Sequence, residues 1–388
     1  MKDIVMISSV HPISDTRIFK KEAATLAESG FSVHLYGVEA AGATSSLKHL
    51  DLHSMKKRRR VSRILNILFL YKEIQKYKDP IVHLHDPELL LLTLFKKRNK
   101  DITFIYDMHE HFPSTLRTKE WLPGTIRRPL SWFCSRLEKA AIKKCTIVVF
   151  AESYYASYYR DTPVKQLNIL NYPLNTVNER IIFNQSAPIR LVYAGAISIS
   201  RGFKEMLFIA EQLARAQVPF KLSIIGRIPK ELSEWAEEFV RFHRLNENVF
   251  FHGRLPYEEV ERLYRKSDVG LCLLHPEDNY VQSMATKIYE YMQYSLPVLA
   301  SDFPNWKELI HGSKCGFTGS PLHIGWVVEA VKKLDTNREM LRRLGTNGYR
   351  TCSTYYQWDT EAEKLVGLYE RLMEGEEECE SPVSSSAL

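Results

Sequence analysis

The sequence has no apolar run long enough to span a bilayer. Stretches such as Leu89–Phe95 fall far short of the roughly 20 residues a spanning helix needs. Its six cysteines form no Cys-x-x-Cys pair, so no disulfide framework is expected and a reducing, cytoplasmic setting suits the chain. With 17 glycines and 17 prolines in 388 residues, collagen-like and low-complexity architectures are out. Gly-x-Gly-x-x-Gly does not occur, which removes the usual nicotinamide or flavin fingerprint. Asp-x-Asp is missing too, so no catalytic Mg²⁺ or Mn²⁺, and no cofactor, is expected. The opening MKDIVMISS shows neither a secretory hydrophobic region nor a small-residue cleavage site.

What is present is a soluble composition, 45% hydrophobic and 26% charged, at a length that suits two domains of about 150–200 residues. The net charge of +7 is unevenly placed. Residues 1–175 hold 28 Lys/Arg against 17 Asp/Glu, whereas residues 176–388 hold 25 against 29. Two basic stretches in the first half, Lys56–Lys78 and Leu116–Lys144, mix cations with Leu, Ile, Trp and Phe. Such segments fit an anionic membrane surface, with a nucleic-acid backbone or a plain amphipathic helix as the competing readings. No recognisable nucleic-acid motif accompanies them, and nucleic acid is not an expected partner.

The patterning predicts an α/β protein. Ile4–Ser9, Phe31–Val38, Ile81–Asp86, Thr103–His109 and Thr146–Ala151 read as strands, alternating with helical stretches such as Thr16–Ser29. Alternation of this kind means right-handed βαβ units and parallel sheets. An Asn-rich break follows, and the pattern restarts at Ile189–Gly195, Phe220–Gly226, Val249–Gly253, Val269–Leu274 and Pro297–Asp302. The expected organisation is an N-terminal Rossmann-like domain at 1–173, a linker at 174–188 and a second such domain at 189–355. A helix at 356–374 is expected to return to the first domain, with a disordered tail at 375–388. Two doubly wound domains are expected to face a central cleft, with ligands at the carboxyl ends of the strands.

Four groups of residues can carry chemistry. His83-x-His85-Asp86 and Asp107-x-His109-x-His111 close two strands, and alternate strand residues share a face. His-x-His pairs raise a metal-dependent hydrolase as an alternative. His11, Asp15 and Arg17 follow the first strand, where Asp15 is either a helix N-cap or a contact to an acceptor. Around Gly195, a small-residue loop leads to Arg201-Gly202 and Lys204; helix-start amides and a guanidinium there can clamp a diphosphate. The fourth group is Glu277–Asp302. A helix predicted from about Met284 puts Ser283, Lys287 and Glu290 on one face, with its amide end for a phosphate and the Glu290 carboxylate for a ribose diol. The bland alternative is a Lys287–Glu290 surface pair worth a few tenths of a kcal/mol.

HPISDTRIFKKEA with its following Gly-Phe-x-Val, HLHDPELL, YDMHEHFP, YAG-x5-RG and SMATKIYEYMQYSLPVLASD occur in that order. In these motifs the chain resembles the family 4 retaining glycosyltransferases of GT-B type (glycosyl transferases group 1), from about Ile4 to Met373. The resemblance implies a metal-independent enzyme that moves a sugar from a nucleoside diphosphate, UDP-sugar favoured, to a hydroxyl. The departing phosphate itself would take the acceptor proton. Glu290 would hold the ribose, His109 would lie beside the donor sugar, and Arg201 and Lys287 would meet the diphosphate. Gly195, Lys204, Gly226, Gln282, Ser283, Met284 and Ala285 complete the implied donor set. Gln282 stands where the family usually has its first Glu, and Gly195-Ala196 where it usually has Gly-Arg. His11, Asp15, Arg17, His85 and Asp86 are the implied acceptor side.

The basic first half suits a glycan or polyprenyl-linked acceptor at the inner face of the plasma membrane, as in capsule or O-antigen assembly. A GT-B-type nucleotide-sugar epimerase keeps the fold and changes the chemistry, but leaves that basic half unexplained.

Overall fold

The computed structural model describes residues 2–40, 44–58, 60–95, 101–118, 122–175 and 188–375. The chain forms two compact units: Met1–Asn171 with Trp358–Leu388, and Tyr172–Gln357. Most of the expected linker and nearly all of the expected tail lie outside the described residues.

In the first unit β1 (Ile4–Pro12), β2 (Val33–Val38), β3 (Leu50–Met55), β4 (Ile81–Leu84), β5 (Thr103–Met108), β6 (Ile147–Phe150) and β7 (Lys165–Asn168) form one sheet. Its order is β3-β2-β1-β4-β5-β6-β7, and every pairing is parallel. Ile4, Val5, Met6 and Ile7 are all fully buried. Such an unbroken apolar run marks a strand covered on both faces. The second unit repeats the plan with β8 (Ile189–Ala194), β9 (Phe220–Ile225), β10 (Val249–Gly253), β11 (Val269–Cys272), β12 (Val298–Ser301) and β13 (Gly316–Gly319). These run β10-β9-β8-β11-β12-β13, again all parallel. Strand order therefore reverses between β1 and β4 in one unit, and between β8 and β11 in the other. Both are topological switch points, where ligands bind in open α/β sheets.

Strands β3, β7 and β13 are not evident from the sequence. All three are sheet edges, and β7 and β13 consist wholly of half-buried residues. An edge strand is not covered like a central one, so it needs no apolar run that patterning can detect. After β13 the chain is helical, with Gly325–Thr336, Arg338–Tyr355 and Trp358–Glu374. The last of these packs on the first unit. Glu361 accepts the Leu170 amide at 2.8 Å, Trp358 donates to Thr25 at 2.9 Å, and the Tyr369 hydroxyl lies 2.8 Å from His83 Nδ1.

Helix Gly124–Ile142 is anchored to the first unit by polar groups. Its buried residues are Ser131, Glu138, Ala141 and Ile142. Ser131 donates to the Pro113 carbonyl at 2.7 Å, and the Tyr159 hydroxyl donates to Glu138 at 2.8 Å. Burial pushes the Glu138 carboxyl up to about 7, despite the hydrogen bonds from Tyr159 and Tyr106. A raised carboxyl pKa favours the folded state while the group is protonated. That contribution is complete below about 4.5 and is lost as pH rises through about 7. Glu138→Gln, which keeps an acceptor for Tyr159, should therefore flatten the pH dependence of stability across that interval. Denaturant melts at several pH values measure it, and the wild-type slope amounts to about 3 kcal/mol.

Candidate active-site residues in each unit

The site in the second unit begins with helix Thr286–Gln293. Ile288, Tyr291 and Met292 are fully buried, and the Tyr291 ring lies where a side chain on Gly270 of β11 would stand, 2.3 Å from a Cβ built there. Gly270 thus lets the helix lie flat on the strand. The helix starts at Thr286, two residues later than the sequence suggests. Ser283 and Ala285 are extended, and Ser283 follows the short helix Asp278–Gln282. Ser283 is therefore not on a common helix face with Lys287 and Glu290. The extended stretch is held by side chains from elsewhere: the fully buried Trp306 donates its Nε1 to the Ser283 carbonyl at 2.7 Å, and Asn305 donates to the Gln282 carbonyl at 3.2 Å. No side chain caps the helix at Ala285, so its first amides remain as donors.

Lys287 and Glu290 do not pair with each other. The Lys287 side chain is buried, and its Nζ sits 4.1 Å from the centroid of the Tyr193 ring with no hydrogen-bond partner among the described residues. A Cβ on Gly195 would come within 3.0 Å of that nitrogen. Glu290 instead accepts a hydrogen bond from the Tyr264 hydroxyl at 2.9 Å. Burial and the neighbouring Glu290 hold the Tyr264 phenol well above its ordinary range, so it stays a donor.

The backbone around these groups is cut close. Gly226 has φ 151°, and a Cβ there would strike the Gly195 carbonyl oxygen at 2.1 Å. Gly202 is left-handed at φ 77°, and a Cβ there would strike the Leu273 carbonyl oxygen at 2.1 Å. Gly202 opens helix Phe203–Arg215 at the β8/β11 switch point, directly after Arg201. The half-buried Arg201 guanidinium lies over the Tyr280 ring at 5.4 Å. Burial alone would lower its pKa, but Tyr280 and Tyr193 outweigh that and the net direction is up. Lys204 is directed elsewhere, with its ammonium 4.9 Å from the centroid of Trp235. The residue-type argument placed it at the diphosphate; cation–π attraction to an indole places it on the next helix.

In the first unit Asp86 stitches the ends of β1 and β4 together. It accepts from Ser8 Oγ at 2.8 Å, the Ser9 amide at 2.6 Å and the Val10 amide at 3.2 Å. Asp107 is the hub of a second network. Arg17 grips it through two hydrogen bonds of 3.0 and 2.9 Å and also reaches the Ile169 carbonyl at 3.0 Å. His109 Nε2 lies 2.7 Å from Asp107 Oδ2, and His85 Nδ1 lies 3.3 Å from it. Although burial opposes it, the charges of Arg17 and His109 hold Asp107 well below the usual carboxylate range. Burial and the Asp107 charge push Glu22 in the opposite direction. Arg17, His85 and Asp86 are buried, so the expectation that they meet an acceptor is revised: they build the wall behind His11, Asp15 and His109.

Asp15 has both of its alternative roles. Its carboxylate caps the first helix, accepting from the Arg17 and Ile18 amides at 2.9 and 3.1 Å, and it lies 3.4 Å from His11 Nδ1. Burial would raise its pKa, but the His11 hydrogen bond and charge bring it down to about 2. His11 is shifted up in return, since Asp15 and Asp86 outweigh its burial. The His11 and His109 rings lie 5.2 Å apart. His111 leaves this group: it stacks on Tyr158 at 3.9 Å and bonds Ser114.

The ligating atoms of Glu22, His83, His85 and Asp107 lie within 4.8 Å of one another, which by residue type could suit a metal ion. Arg17 Nε, however, lies 3.0 Å from Glu22 as well as hydrogen-bonding Asp107. A guanidinium already supplies the charge that a divalent ion would bring to these carboxylates. The donor set therefore does not single out a metal, and no step is derived through one.

Family models match the chain in two consecutive stretches. Glycosyltransferase Family 4 covers residues 17–169 and Glycosyl transferases group 1 covers residues 177–351. The chain belongs to the group 1 glycosyltransferases. One relative of this glycosyltransferase is the O-antigen biosynthesis protein RfbC of Myxococcus xanthus, 28% identical over 187 residues. That match takes in 47% of the chain and only 13% of RfbC. Among solved structures, sucrose-phosphate synthase from Thermosynechococcus elongatus superposes with a TM-score of 0.73 at 15% identity, covering 97% of this glycosyltransferase and 100% of the synthase. Anabaena Alr3699/HepE in complex with UDP-glucose gives 0.68 at 11% identity, covering 95% and 100%. At such identities the likeness establishes the GT-B architecture of two Rossmann-like units.

Tyr193, Tyr264, Tyr280 and Trp306 are the site residues that sequence reasoning missed. Tyrosines and tryptophans at strand ends and on helices read as core, and nothing local shows which ammonium or carboxylate they meet. An unpartnered buried ammonium is costly to the fold. Lys287→Met should raise the stability of the ligand-free glycosyltransferase by about 1–3 kcal/mol, seen as a higher Tm. An unchanged or lower Tm would mean that the ammonium is satisfied within the fold.

Proposed function

We propose that the enzyme is a retaining, metal-independent glycosyltransferase that takes its sugar from a nucleoside diphosphate, most favourably UDP. Its acceptor is a hydroxyl of a lipid-linked glycan at an anionic membrane surface, in cell-surface polysaccharide assembly. One observation carries the donor assignment: a buried ammonium with no hydrogen-bond partner among the described residues, at the carboxyl end of β8. A diphosphate satisfies it. Arg201 and the uncapped amides at Thr286 and Lys287 supply further donors for a diphosphate, and Gly195 leaves room beside them. Glu290, oriented by Tyr264, offers an acceptor-only oxygen pair to the ribose diol. HepE, solved with UDP-glucose, and RfbC, named for O-antigen biosynthesis, support the donor class and the polysaccharide setting.

In the reaction the bond from the anomeric carbon to the diphosphate oxygen breaks, leaving an oxocarbenium-like centre and a nucleoside diphosphate that has gained one negative charge. Lys287, Arg201 and the helix amides stabilise the charge that develops on that leaving group, which lowers the barrier more than it tightens ground-state binding. The acceptor oxygen bonds the anomeric carbon on the face the diphosphate leaves, and its proton passes to the departing phosphate oxygen. His109, fixed by the ionised Asp107, takes the part beside the sugar that the family motif gives it.

A thermal-shift panel of UDP-, GDP-, ADP- and dTDP-sugars tests the donor reading. One nucleotide should raise Tm by several degrees, and Glu290→Ala should abolish that rise while the protein stays folded. An unchanged rise in the variant would refute the ribose role. The anomeric configuration of the product, read by NMR coupling constants, should match that of the donor. An inverted product would overturn the retaining assignment.

A further inference from the structure

Helix Gly124–Ile142 is built inside out. The side it buries in the first unit is small or polar, apart from Ile142, whereas Trp132, Phe133 and Leu137 are 60%, 53% and 53% exposed. Helix Ile64–Ile74 shows the same excess: it buries Ile67, Leu70 and Ile74 and still exposes Leu65, Leu68 and Phe69. Helix Pro87–Phe95 lies between these two and packs on both, and it adds exposed Leu91 and Leu94. Three helices packed side by side thus each expose large apolar side chains. Isolated exposed leucines need no explanation, but Trp and two Phe exposed on neighbouring helices do.

The exposed charged residues on and just before these helices are, among the described residues, cations. Arg128 and Arg136 are exposed on the first helix, with the Arg136 guanidinium 4.9 Å from the centroid of the Trp132 ring. Lys56, Lys57 and Arg58 are exposed beside the second, where Arg58 bonds Asn66 at 2.8 Å. The three acids on these helices are all engaged. Glu138 is buried under Tyr159, Glu73 is held by Lys76 at 2.7 Å, and Glu88 is held by Arg63 at 3.0 Å.

We infer that this three-helix face is where the protein seats itself on an anionic lipid bilayer. Trp132, Phe133, Leu137, Leu68, Phe69 and Leu94 enter the headgroup–acyl boundary, and Arg128, Arg136 and Lys56–Arg58 meet the lipid phosphates. A second copy of the chain would bring the same cations against themselves, so charge argues against self-association through this face. The lipid surface fits both halves of the pattern, apolar insertion and cationic contact. The inference rests on the proposed function only for its purpose, access to a lipid-linked acceptor; the docking itself needs neither donor nor acceptor.

Flotation with vesicles of phosphatidylcholine alone and of phosphatidylcholine mixed with phosphatidylglycerol is the test, run on the full chain. The wild type should float with the mixed vesicles and not with the neutral ones, and salt should weaken the binding. Trp132→Ser/Phe133→Ser/Leu137→Ser should lower partitioning about tenfold or more, and Arg128→Glu/Arg136→Glu should lower it on mixed vesicles by a similar factor. Both variants should keep the wild-type Tm rise with the nucleotide, which separates a failed docking surface from a failed donor site and from a misfolded protein. Three outcomes would overturn the inference: no flotation of the wild type, equal flotation on both vesicle types, or a wild-type dimer that the triple substitution disperses.

Discussion

The proposed donor site turns on one buried ammonium that has no hydrogen-bond partner among the described residues. Lys287 is carried into the second unit by a helix pressed flat on β11, against the ring of Tyr193 and beside a turn that only glycine can make. Nothing among the described residues gives its ammonium an oxygen. Folding leaves such a charge unpaired only at a cost, and that cost is recovered when an anion arrives. Gly195 leaves room beside that ammonium, while Gly202 and Gly226 let backbone pack on backbone around it, against the Leu273 and Gly195 carbonyls.

The first unit solves the opposite problem. Its charges are matched: buried Arg17 with buried Asp107, and partly exposed Asp15 with His11, while buried Glu22 is pushed toward its neutral form. Asp107 stays ionised because the guanidinium is there, and an ionised Asp107 fixes His109. The network thus converts burial, normally adverse to a carboxylate, into orientation of one mostly buried imidazole. The cationic, apolar helices of the same unit take no part in the Arg17–Asp107 hydrogen bonds.

Much of this was legible in the residues. Central strands such as Ile4–Ile7 advertise themselves, because a parallel strand covered on both faces must be apolar throughout. The ordered motifs around His109, Arg201 and Glu290 carried the family. Three kinds of information were not local. Edge strands β3, β7 and β13 lack a full apolar pattern. The stretch before the helix start at Thr286 is held by a distant residue, Trp306, which donates to the Ser283 carbonyl. Arg17 and Lys204 went astray because a cation's partner is chosen by the fold: a carboxylate on β5 for one, an indole on the next helix for the other.

The most direct test of the account is a calorimetric titration of the wild type and Lys287→Met with the best-bound nucleoside diphosphate and with the corresponding nucleoside. A charged hydrogen bond to a buried phosphate is worth about 10- to 100-fold in affinity. The account predicts that loss for the diphosphate and no change for the nucleoside. Equal losses for both, or none for either, would contradict it.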